Sequence, residues 1–179
     1  NTIGATPHEQ ILYHTKFNDA DNIIPSDITS VKEFLYVVDY SNIRKIDTKN
    51  NTQTIIYSLI HWKILEEMNE PAFSPNSITN DGANLYVTDW ASGHIIKFSL
   101  DLTNGDITRT QILTRNSLPP TTTKPAGITY LKSNLYVIYS WASAQSDTNV
   151  KTKKIQQFDL STYQFTALDF ENTTYDIRS

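Results

Sequence analysis

Two aspartates and three aromatic residues stand where chemistry could be done. Asp39 and Asp89 each close a Leu-Tyr-Val-x-Asp run, Tyr40 and Trp90 follow them directly, and Trp141 occupies a similar place further on. Paired carboxylates could serve a binding face, and exposed aromatic rings stack on sugars or anchor a partner's apolar side chain. Each has a structural alternative. An Asp at a strand end caps the following turn by accepting local backbone N–H groups, and the rings could pack between neighbouring units.

Other chemistries find little support. The chain has no cysteine, which removes disulfides, thiolate metal sites and thiol nucleophiles together. His8, His14, His61 and His94 are scattered, with no metal-ligand spacing, and read as surface or packing residues. There is no nucleophile elbow, phosphate loop or dinucleotide fingerprint. No catalytic residue and no cofactor is expected. Asn50 and Asn172 each head an Asn-X-Thr triplet and are candidate glycosylation sites.

The elements that must position these residues follow from composition and repetition. The 179 residues suit one domain, with 39% hydrophobic, 11% aromatic and only 19% charged residues. That balance favours strands. Lys and Arg number 15 against 19 Asp and Glu, a net charge of −4, which argues against a nucleic-acid partner. No apolar run is long enough to span a membrane. The sequence begins at Asn1 without a leader, so a processed product or a piece of a longer chain is expected.

A repeat at a spacing of 50 decides the fold. Pro25, Pro75 and Pro125 open it, and Ile28/Ile78/Ile128, Thr29/Thr79/Thr129, Leu35/Leu85/Leu135, Tyr36/Tyr86/Tyr136 and Val37/Val87/Val137 follow in one register. A three-way match at one position arises by chance on the order of 1 time in 200, so six in register are no accident. Each copy reads as four short strands. The first are Asp27–Val31, Ser77–Asn80 and Gly127–Leu131, and the second are Phe34–Val38, Leu85–Thr88 and Leu135–Tyr139. The third are Ile43–Asp47, His94–Leu100 and Lys154–Leu160, and the fourth Gln53–Tyr57, Arg109–Leu113 and Gln164–Leu168. Asn104-Gly105 marks a tight hairpin. Four antiparallel strands at this period predict an all-β fold: a β-propeller arc of three blades at about 25–58, 75–114 and 125–170. His61–Glu70 reads as a short helix between the first two blades. The loop from Ser140 to Lys153, longer than its counterparts, holds Trp141, Lys151 and Lys153 beside Lys154 and reads as a protein contact.

The wording of the repeat resembles the NHL family. "FNDADNIIPSDITSVKEFLYVVDYSNIRKID" follows the family's Phe-Asn, Pro, Leu-Tyr-Val-x-Asp, Asn and Ile-Arg-Lys-Ile pattern, and "PNSITNDGANLYVTDWASGHIIKFS" does so nearly as well. Copy three keeps "PAGITYLKSNLYV" but has Tyr139 in place of the aspartate. The resemblance covers Phe17 to Phe170 and implies a propeller that binds protein, RNA or carbohydrate, with the Asp structural. The second copy is also similar to the gluconolactonase/regucalcin family of metal-dependent lactonases. That resemblance would make Asn76 a metal ligand, but its next ligand position holds Ala126, which cannot bind a metal.

The reading is therefore a non-catalytic, extracellular or periplasmic scaffold or recognition module, taking a protein or carbohydrate partner on its loop face. The alternatives are part of a lactonase-type hydrolase, or a structural subunit of an oligomer or filament. Three blades fall short of the four to eight that close a propeller, so self-association or further blades must cover the ends. Ile43, Ile46, Ile55 and Tyr57 of blade one, and Ile155, Phe158, Phe165 and Leu168 of blade three, are the apolar sets from which the end faces would be drawn.

Overall fold

The computed structural model describes residues 24–39, 41–58, 73–113, 123–141 and 154–168. These form twelve strands: β1 (Pro25–Val31), β2 (Phe34–Asp39), β3 (Asn42–Asp47), β4 (Thr52–Ser58), β5 (Pro75–Asn80), β6 (Asn84–Asp89), β7 (His94–Leu100), β8 (Ile107–Ile112), β9 (Thr123–Leu131), β10 (Asn134–Trp141), β11 (Lys154–Asp159) and β12 (Gln164–Leu168). Each consecutive four make one antiparallel sheet in chain order, and there is no helix among the described residues. The protein is an all-β propeller arc of three four-stranded blades.

β-branched and aromatic residues are concentrated in the second strands, and in blade two both faces of that strand are covered. Two-residue turns join the first and second strands at Lys32-Glu33 and Lys132-Ser133. Lys32, Lys132 and Ser133 take positive φ (54°, 48° and 63°), the twist such hairpins need. The first strand starts at the proline itself in blades one and two, two residues before the sequence reading placed it, and at Thr123 in blade three, four residues before. Pro25 pairs with Asp39, Pro75 with Asp89 and Pro125 with Tyr139, and the register then skips one residue in every blade. The skipped residues are Ser26, Asn76 and Ala126. A proline cannot donate to the ladder, so a bulge beside it carries the strand past the missing bond.

The core lies between the blades. Phe34, Tyr36, Val38, Ile43 and Tyr57 of blade one cluster with Ile78, Leu85, Val87, Ile96 and Phe98 of blade two. Tyr86, Ile95 and Leu113 of blade two cluster with Ile128, Leu135, Val137 and Phe158 of blade three. Ile43, Tyr57 and Phe158 are thus the part of the end-face sets that alternation turns toward the neighbouring blade, and Ile46, on the outer side of blade one, is buried as well. Leu85 and Leu135 are fully buried, whereas Leu35, on the outer side of blade one, is only partly covered.

The inner strands β1, β5 and β9 are tied by side chains rather than by a ladder. Asp27 Oδ2 accepts the Ile78 N–H at 2.9 Å, Ser77 Oγ accepts the Ile128 N–H at 3.2 Å, and Thr79 Oγ1 accepts the Tyr130 N–H at 3.2 Å. The Ser77 hydroxyl also donates to Asp27 Oδ2. The outer strands lock differently. Blade two's 101–106 turn lies against Phe34, the Tyr36 hydroxyl donates to Gly105 O at 3.0 Å, and Lys45 pairs with Asp106.

Candidate functional site

One face of the arc carries the starts of the inner strands together with the loops from second to third strand. Asp39 and Asp89 shape it from below. Asp39 Oδ1 accepts the N–H groups of Ser41 and Asn42 at 3.1 and 2.9 Å, and Oδ2 takes Arg44 Nε at 2.6 Å in a buried ion pair. Asp89 Oδ1 accepts the N–H groups of Ser74 and Ala91 at 2.8 and 3.1 Å, and Oδ2 takes the Ser92 hydroxyl. Both carboxylates are buried and engaged within their own blades. In blade three the position is Tyr139, also buried, and burial pushes its phenol pKa up.

Asp89 fixes the loop that carries Trp90. The Trp90 N–H donates to Ser74 O at 2.8 Å, the Gly93 N–H to Asp89 O at 2.9 Å, and Lys124 Nζ, reaching from blade three, to Ala91 O at 2.7 Å. The backbone is held on three sides while the indole stays 36% exposed. It lines a pocket of about 310 Å³ with Ile24, Ser26, Ser74, Pro75 and Asn76. The indole, Ile24 and Pro75 supply apolar walls, and two hydroxyls and an amide supply polar atoms. No lining side chain is charged. Such a pocket can hold an apolar group and orient it by a few hydrogen bonds.

Two candidates meet here, Trp90 and Asn76. The Asn76 amide donates to Ala126 O across the junction of blades two and three. Among the described residues no group of three or more His, Cys, Asp or Glu could hold a metal ion. Tyr40 lies outside the described residues, as do Asn172, the 61–70 segment and the long loop beyond Trp141. The backbone of Trp141 ends β10 opposite Thr123. Asn50 is exposed in the β3–β4 turn at the opposite end of blade one, its amide bonded to Asp47 Oδ2 at 2.7 Å.

Sequence reasoning missed Ile24, Ser26, Ser74 and Lys124. The repeat could not expose them, because the residues beside the three prolines differ in type from blade to blade: Ile24, Ser74 and Lys124 before them, Ser26, Asn76 and Ala126 after. The prolines themselves, which mark the bulges, were the available signal.

No family model matches the sequence, and no curated protein matches it either. Solved structures do. The chain is similar to one in the nidogen/laminin complex at a TM-score of 0.56 and 19% identity, over 84% of this chain and 49% of that one. The N-terminal domain of Nup159 matches at 0.51 and 13%, over 74% of this chain and 33% of that one. Glutaminyl cyclase of Myxococcus xanthus matches at 0.50 and 12%, over 81% and 50%. The chain therefore spans half or less of the length of these structures. At such identities the likeness is one of fold, and the fold it shows is the β-propeller.

Proposed function

We propose that this chain is a non-catalytic recognition module of NHL-like repeats, placed outside the cytoplasm, that takes an apolar side chain of a protein partner into the Trp90 pocket. The observation that carries the reading is a partly exposed indole on a backbone held by Ser74, Asp89 and Lys124. A pre-organised aromatic anchor loses little freedom on binding, which is why such residues dominate interface energetics. The uncharged, largely apolar lining favours a peptide side chain over a sugar, whose hydroxyls would need more polar partners.

Matching structures support a binding role by name in two cases, a complex of nidogen with laminin and one of Nup159 with dbp5, while another is an enzyme, so the argument rests on the site. The NHL character rests on the Leu-Tyr-Val-x-Asp and Ile-Arg-Lys-Ile wording, and the compartment on the two Asn-X-Thr triplets, of which Asn50 is exposed. The test is selection from a displayed random-peptide library. Peptides with a recurrent apolar residue should be enriched on the unmutated protein and lost on Trp90→Ala. Enrichment that survives Trp90→Ala, or binding of arrayed glycans in place of peptides, would overturn the reading.

A further inference from the structure

The sequence holds one Asn-Gly pair, Asn104-Gly105, and the fold sets it where the outer strands of blades one and two meet. Asn104 is exposed, and Gly105 is buried against Phe34. An asparagine followed by glycine can modify itself, because no side chain hinders the glycine nitrogen. That nitrogen attacks the asparagine Cγ. The N–Cγ bond forms, and the side-chain amide leaves as ammonia with the proton the nitrogen gives up. Water then opens the five-membered imide at either carbonyl. The product is aspartate, or isoaspartate, in which the main chain runs through Cβ and gains one carbon.

The folded turn holds the atoms of that reaction in place. Asn104 Oδ1 accepts the Asp106 N–H at 2.8 Å. Asn104 O and the Gly105 N–H belong to one peptide unit, and both of its polar atoms are engaged. The Gly105 N–H donates to Asp101 O at 2.7 Å, and Lys45 Nζ, from blade one, donates to Asn104 O at 2.8 Å. Closing the imide ring turns this unit about the Asn104 Cα–C bond and breaks both contacts. The Lys45 ammonium does not follow the carbonyl, being paired with Asp106 and seated 5.7 Å from the Phe34 ring centre.

We propose that Asn104 is a latent site of imide-forming self-modification, held unreactive by Lys45 of the neighbouring blade. The product undoes the contact that protects it. A Cβ on Gly105 would already stand 2.8 Å from Cγ and Cδ2 of Phe34, so the junction has no room for an added main-chain carbon. Isoaspartate at 104 therefore displaces Gly105 from Phe34, and the Gly105 carbonyl from the Tyr36 hydroxyl that now donates to it at 3.0 Å. Conversion runs one way and loosens blade one from blade two. The inference uses this outer junction alone and is independent of the Trp90 pocket.

Mass spectrometry of the 179-residue protein held at neutral pH, with its proteolytic fragments mapped, tests it. Conversion at Asn104, read as the mass gain of an amide turned to an acid, should run roughly tenfold or more slower than in a free peptide spanning Leu100–Thr108, since two hydrogen bonds must open first. Lys45→Met keeps the stem and removes the ammonium. It should speed conversion while the circular dichroism spectrum stays unchanged, and Lys45→Arg should slow it again. Leu135→Ala, which weakens the other blade junction, should leave the rate as it was. The converted protein, separated by its added negative charge, should melt at a lower temperature. Conversion as fast in the protein as in the peptide would overturn the inference. So would a rate indifferent to Lys45→Met, an equal acceleration by Leu135→Ala, or a converted protein that melts like the original.

Discussion

Leu85 and Asp81, four residues apart, show what single side chains contribute. Leu85 is fully buried between blades one and two, among Tyr36, Val87 and Phe98. Truncation to Ala removes its transfer energy and leaves a cavity that the flanking sheets cannot collapse, so Leu85→Ala should cost about 2–5 kcal/mol in a urea titration. Leu35→Ala, at the partly covered outer position, should cost less. Asp81 ends β5. Burial alone would raise its pKa, but hydrogen bonds from the Tyr86 hydroxyl at 2.7 Å and from Asn84 and Ala83 outweigh it and hold the carboxyl below its ordinary range. A depressed folded-state pKa stabilises the fold above the unfolded-state pKa, and that stability is lost as pH falls through the folded value. Stability should therefore decline below about pH 4, and Asp81→Asn should flatten that decline. An unchanged pH slope in the variant would show that other carboxylates carry it; Asp47 and Asp159, whose pKa values local hydrogen bonds from Asn50 and Ser161 also lower, are the candidates.

Turns join and space the strands, and one turn also joins two blades. Gly105 sits at φ 73° in the 101–106 turn, where a Cβ would stand 2.8 Å from Cγ and Cδ2 of Phe34 in blade one. Gly82 also has positive φ, 90°, but nothing lies within 4 Å of its Cβ position. Both alanine variants meet the cost of a left-handed residue, about 1–2 kcal/mol, and only Gly105→Ala adds a collision with a buried ring. Gly105→Ala should therefore lower the melting temperature more than Gly82→Ala. Equal shifts would mean that Phe34 yields without cost. The Asn104-Gly105 turn was legible in sequence because its dipeptide has a local conformational reason. Its closeness to Phe34 was not, since nothing local relates residues 71 positions apart. The first and second strands of each blade were legible for the same reason that the six-position repeat was: identical local sequence pairs in the same register three times. The bulges at Ser26, Asn76 and Ala126 were hidden because a bulge depends on what the proline fails to donate, and the residue it displaces is free to vary.

At the scale of the whole molecule, the arc has a face, two ends and an opposite rim, and the repeat treats them differently. Burial between blades kept Leu85, Val87, Leu135 and Val137 recognisable as core, whereas the face is built from the positions at which the copies differ. That is why the aspartates could be read as caps from sequence while the pocket around Trp90 could not: it needs Ile24 and Ser26 from one blade beside Pro75 and Trp90 from the next. A comparison of the two faces is built into the protein. Tyr163, 49% exposed in the β11–β12 turn, is an aromatic residue on the opposite rim and serves as the control for Trp90. Calorimetric titration of a library-selected peptide against the unmutated protein, Trp90→Ala and Tyr163→Ala compares them directly. Loss of a buried aromatic anchor costs about 2 kcal/mol or more, so affinity should fall at least about tenfold in Trp90→Ala and stay unchanged in Tyr163→Ala. Equal affinity in all three proteins, or a loss confined to Tyr163→Ala, would contradict recognition through the Trp90 face.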